Sequence, residues 1–93
     1  MMVNRIREEF SVEQAVAVGT DLGIDFDITP FDEEQFRRGM MVELEHGRRD
    51  PITDVTHDDP LMTGKIAWAH LREMPDYYER LDVMEREAEG EGP

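Results

Sequence analysis

Two short pairs in this sequence carry side chains that could do chemistry: Glu43-x-x-His46 and His70-x-x-Glu73. On a helix, residues three apart share one flank, so each pair would present an imidazole beside a carboxylate. Together they form a nitrogen/oxygen set competent for Zn, Mn or Fe. Dimetal carboxylate bundles use Glu-x-x-His on facing helices together with further glutamates. Here one pair runs in reverse order and only two helices contribute, so a complete centre would need a symmetric dimer. The simpler reading is a structural network. Buried carboxylates and imidazoles would satisfy one another, the backbone, and Tyr77 or Tyr78 as outer partners. Removing one member of a buried pair costs about 3–5 kcal/mol, enough to fix these residue types without any ligand. The network is favoured, and a divalent metal on Glu43, His46, His70 and Glu73 is the alternative. No catalytic residue is assigned: no activated serine, thiol or phosphate-binding glycine loop accompanies the pairs.

These residues must be positioned by a small body. The chain has 93 residues, suited to one domain. A chain this short buries roughly 60–65% of its unfolded surface, so its core is thin. Hydrophobic residues make up 39% and charged residues 35%. Cysteine is absent, which removes disulfides and thiolate metal ligands. The opening MMVNRIREEF has no apolar run long enough for a signal peptide, and no window approaches a membrane span. The expectation is a soluble, cytoplasmic protein. Acidic residues number 23 against 10 basic ones, for a net charge of −13, and Lys65 is the only lysine. That balance disfavours direct binding to nucleic-acid phosphates. It suits a surface kept solvated in concentrated salt, a halophilic-like pattern, better than a dense acidic face imitating a nucleic-acid backbone.

The helical pattern is densest over Thr63–Leu81. Ahead of it, residues 1–10 are weakly patterned, with Val3, Ile6 and Phe10 on one side. Ser11 and Gln14 have capping-box spacing, Phe10 and Ala15 could form a staple, and Gly23 with Ile24 reads as a helix stop. Residues 24–28 alternate apolar and acidic, and read as an extended connector that tucks Phe26 into the core. Asp32 and Gln35 can cap a second helix, with Phe36, Met40 and Leu44 inward and Gly47 as its stop. Glu33 with Arg37 and Glu34 with Arg38 are spaced for ion pairs, and Glu45 reads as solvent-facing. Gly39, mid-helix, implies close approach of another backbone. The stretch 48–59 is turn-rich, with Ile52 and Val55 expected to pin it to the core. Thr56 or Asp59 can cap the next helix, from Pro60 to about Glu73. That helix is apolar nearly all round, implying burial in the middle of the domain, with His70 pointing inward. Pro75 ends it and suits the first position of a last helix, whose stripe is Tyr77/Tyr78, Leu81, Met84 and Ala88. Residues 90–93 read as a disordered tail. The architecture is an all-α single domain over 11–89, a bundle of about four helices with a turn-rich loop between the central two.

ELEHG at 43–47, the loop at 54–59 and TGKIAWAHLREMPDYY at 63–78 resemble a family of small uncharacterised proteins, domain of unknown function 5661. The similarity runs from about Leu22 to Glu87. It implies that Glu43, His46, His70, Glu73, Asp76 and Tyr77 belong to the family pattern and that His57 does not. It implies no activity. The functional expectation is a non-enzymatic interaction or accessory module, with a protein partner or a second copy and no membrane. The alternatives are a metal-binding protein and an acidic decoy for a nucleic-acid-binding partner.

Overall fold

The computed structural model describes residues 10–90. The expectations for residues 1–9 and for the tail at 91–93 lie outside the described residues. Within them the protein is all-α: helices α1 (Val12–Leu22), α2 (Glu33–Arg49), α3 (Pro60–Glu73) and α4 (Tyr77–Ala88), with no strand.

The helix starts follow side-chain chemistry. At α1 the Gln14 amide donates to Ser11 Oγ at 3.1 Å, and the Ser11 amide donates to Gln14 Oε1 at 2.7 Å. At α2 the same reciprocal box joins Asp32 and Gln35, with both bonds at 2.8 Å. Asp59 caps α3 through the Met62 amide at 2.9 Å, and Pro60 stands at the first position. Each box satisfies amides that a helix start would leave unpaired. Gly23 closes α1 at φ 96°, and the Ile24 amide folds back to the Gly19 carbonyl at 2.9 Å, which buries Ile24. Met74 adopts φ −151°, ψ 101°, the extended geometry that a following proline imposes.

The core is built where three helices meet. Phe36, Met40 and Leu44 of α2 are fully buried against Ala67 and Leu71 of α3, with Ala15 and Val18 of α1 and Tyr78 of α4 completing it. Phe26 is half-buried and contacts Phe31 edge-on and Phe36 at a tilt, with ring centroids 6.1 and 5.7 Å apart. No helix among the described residues is long and apolar enough to cross a membrane.

Several expectations are corrected. Residues 24–28 are not extended. The Asp25 side chain accepts from the Asp27 amide and its carbonyl accepts from the Ile28 amide, so the acidic residues form a turn and Ile28 projects into solvent. Gly47 does not stop α2, which runs on to Arg49. It is buried there under the following loop, so that a Cβ at that position would lie 2.7 Å from Asp54 Oδ1 and 2.8 Å from Thr56 Oγ1. Those two residues anchor the loop, while Ile52 and Val55 are 89% and 64% exposed. Glu34 pairs with Arg37 at 2.9 Å, one step closer than the expected i,i+4 pairing, and Arg37 also reaches the Phe10 carbonyl at 3.1 Å. That guanidinium, through its hydrogen bond, holds the Glu34 carboxyl below the usual carboxylate range.

Helix α3 is not buried all round. Thr63, Gly64, Ala67 and Leu71 form its inner line, whereas Leu61, Met62 and Ala69 are exposed, because α1 and α2 cover it from one side. Pro75 precedes α4 and is not its first residue, since Asp76 occupies the cap position. The stripe of α4 also turns differently. Tyr78 and Leu81 face the body, while Met84 and Ala88 are exposed.

Candidate functional site

The side chains singled out above divide into three places. The first is built around Glu43. Its position on α2 is set by Met40 and Leu44, whose burial leaves Glu43 pointing along the edge of the core. The carboxylate is itself buried, with 9% of the residue exposed. Tyr78, arriving from α4, donates its hydroxyl to Glu43 Oε2 at 2.8 Å. His70, from α3, brings Nε2 within 3.7 Å of the same oxygen, close enough for electrostatic contact though beyond a hydrogen bond. Three helices therefore converge on one carboxylate oxygen.

Aromatic packing fixes the approach of each group. The Tyr77 ring lies flat on the His70 imidazole, with centroids 4.2 Å apart and planes within 1°. Tyr78 meets both rings edge-on, at 4.9 Å from Tyr77 and 6.1 Å from His70. The close approach at Gly39 comes from a side chain and not from the backbone expected there: a Cβ on that residue would stand 2.5 Å from Tyr78 Cε2, because the ring fills the space. Among the described residues no buried side-chain nitrogen or oxygen lacks a hydrogen-bond partner. Burial, together with the charge of Glu43, pushes the Tyr78 hydroxyl far above its ordinary titration range. Tyr77 is also raised, chiefly by burial and then by Glu43 and Glu85.

The second place is one turn further along α2. His46 Nε2 lies 3.6 Å from Glu85 Oε2 of α4, in a half-exposed setting. Glu85 was not anticipated, although it sits seven residues beyond Tyr78 and so on the same side of α4. The third place is the end of α3, where Glu73 is exposed and borders an open surface depression with Ala69 and Arg72. The structure thus brings together Glu43 and His70, gives His46 a separate carboxylate, and leaves Glu73 at the surface. Among the described residues no group of three His, Asp or Glu side chains converges in a way that could hold a metal ion. Asp76, at the cap position of α4, accepts from Arg80 Nε at 2.9 Å and makes no side-chain capping hydrogen bond. His57 is an exposed loop residue, 3.8 Å from Asp54.

The fold and this junction define a small all-α domain with a carboxylate–tyrosine–imidazole cluster between three helices. The chain belongs to the family described as protein of unknown function (DUF5661), whose match covers residues 15–87. That span takes in all of α2 and α3 and nearly all of α1 and α4, so Glu43, His70, Tyr77 and Tyr78 all lie inside it. No curated protein and no solved structure matches the chain.

Proposed function

We propose that the protein is a non-enzymatic interaction or accessory module, in which the Glu43 cluster holds the helices in register. The observation that carries this reading is the engagement of Glu43. Its Oε2 is occupied by the Tyr78 hydroxyl at 2.8 Å and faced by His70 at 3.7 Å. A general base needs a lone pair directed at a substrate, and a metal ligand needs one directed at an ion. Here Oε2 is directed at Tyr78 and His70, groups of the fold itself. The metal alternative draws on the two imidazole–carboxylate pairs, but they serve different junctions. The decoy alternative draws on the charge of −13 alone.

The test uses the purified full chain. Glu43→Gln and His70→Gln should lower the melting temperature in metal-free buffer, and adding Zn, Mn or Fe should not restore it. A metal-induced rise in the melting temperature of the wild type that Glu43→Gln abolishes would replace this reading with the metal-binding one.

A further inference from the structure

We propose that the outer face of α4 is a docking ridge for a basic amphipathic helix of a partner protein; this deepens the interaction-module reading and rests on it. Helix α4 touches the body along one side only, through Tyr77, Tyr78 and Leu81 and through Glu85 opposite His46. Val83 lies about 140° round the helix from Tyr78, at 3.6 residues per turn. Val83 and Met84 are 46% and 58% exposed, adjacent large apolar side chains in a helix whose other outward positions are charged apart from Ala88. With Glu79, Arg80 and Glu87 they form an open patch along one face of the helix.

Charge decides between occupants. Glu79 and Glu87 stand one turn before and one turn after Val83, so the apolar pair is framed by carboxylates. Both cations of α4 are drawn into ion pairs on the helix: Arg80 is held by Asp76 at 2.9 Å and Arg86 by Asp82 at 3.4 Å. A second copy of this chain would set Glu79 and Glu87 against their own counterparts and carries a net charge of −13 overall, and like charges repel. A partner helix with aliphatic anchors at i, i+3/i+4 and i+7 and lysine or arginine beside them is complementary in both respects. Its anchors cover Val83 and Met84, and its cations reach Glu79 and Glu87.

The experiment titrates two synthetic helical peptides into isotope-labelled full-length protein and follows backbone amide shifts. One peptide carries leucines at helical spacing with lysines opposite; the other has the same leucines with glutamates. The lysine peptide should shift amides from Glu79 to Glu87 selectively, with affinity falling as salt rises. The glutamate peptide should bind at least about tenfold more weakly. Val83→Ser/Met84→Ser, which removes only exposed side chains, should weaken the lysine peptide roughly tenfold or more at an unchanged melting temperature. Should that variant fail to fold, Glu79→Gln/Glu87→Gln should weaken binding and flatten its salt dependence. Shifts spread over the whole acidic surface, or equal binding by both peptides, would overturn the proposal. So would unchanged binding by the variants, or self-association through this face. Those failures leave the module reading standing, because that reading falls instead to the metal-rescue result.

Discussion

The Tyr78 hydroxyl donates to Glu43 Oε2 at 2.8 Å, across 35 residues of sequence and between α4 and α2. Helix α4 otherwise meets the body through Tyr77, Leu81 and Glu85, and this buried bond ties it to α2. His70 and Tyr77 frame it, and Gly39 makes it geometrically attainable.

Gly39 provides the first prediction. Alanine favours a helix over glycine by about 1 kcal/mol, so Gly39→Ala at an open site would stabilise. Here the new methyl would meet the Tyr78 ring at 2.5 Å. Gly39→Ala should therefore lower the urea midpoint in the wild type. In a Tyr78→Ala background, where the ring is gone, the same substitution should be neutral or stabilising. A stabilising effect in both backgrounds would mean that the ring does not occupy that space.

Alkaline pH should act through Tyr78. Its folded-state value is raised above the ordinary 10.0 by burial first and by Glu43 second. The folded state therefore keeps a proton that the unfolded chain releases. The associated stability is complete below about pH 10 and declines as pH rises beyond it. Tyrosine absorbance titration should show one tyrosine ionising only with unfolding. Tyr78→Phe should remove that slow component and flatten the alkaline decline. Two tyrosines ionising together in folded protein would contradict this.

Acid pH should act on the loop through Asp54. Its carboxyl is lowered beneath 3.8, first by the His57 backbone amide at 2.8 Å, with the Thr56 hydroxyl contributing at 3.2 Å. A depressed value in the folded state contributes stability above the unfolded value, lost as pH falls through the folded one. Asp54→Ala should thus be destabilised at neutral pH, and its difference from wild type should shrink below about pH 4. Chemical denaturation at a series of pH values reads this directly, and a constant difference would show that the ionised carboxylate is not what anchors the loop.

Salt should matter throughout. With 23 acidic and 10 basic residues, self-repulsion opposes the compact state in dilute buffer and is screened in concentrated salt. The melting temperature should rise from dilute buffer to molar KCl. Equal values would remove the halophilic-like reading of the surface.

Much of this fold can be read from local chemistry. Ser11/Gln14 and Asp32/Gln35 announce helix starts because the capping box depends on residues three apart in sequence, and Asp59 before Pro60 does so as a cap followed by a first-turn proline. Gly39 announces a close approach, although the group that approaches is the Tyr78 ring and not another backbone. What could not be read depends on which faces find a neighbour. Gly47 looks like a helix stop until the Asp54–Thr56 loop is seen packed against it. Ile52 and Val55 look like anchors, but Thr56 is the buried residue. Met84 and Glu85 are adjacent, and His46 on another helix draws Glu85 inward while Met84 remains outside. Likewise, helical spacing put Glu73 with His70, but the arrangement of α2 and α4 around α3 brings only His70 to Glu43.

The central claim is that Glu43 and Tyr78 act on one another to hold the fold. A double-mutant cycle of Glu43→Ala and Tyr78→Phe, measured by urea denaturation in metal-free buffer, tests it most directly. Leaving a buried polar group without its partner costs about 1–3 kcal/mol, so each single change should be destabilising. The double variant should be destabilised by less than the sum of the two, with a coupling of about 1 kcal/mol or more. Effects that add to within about 0.5 kcal/mol would contradict the claim.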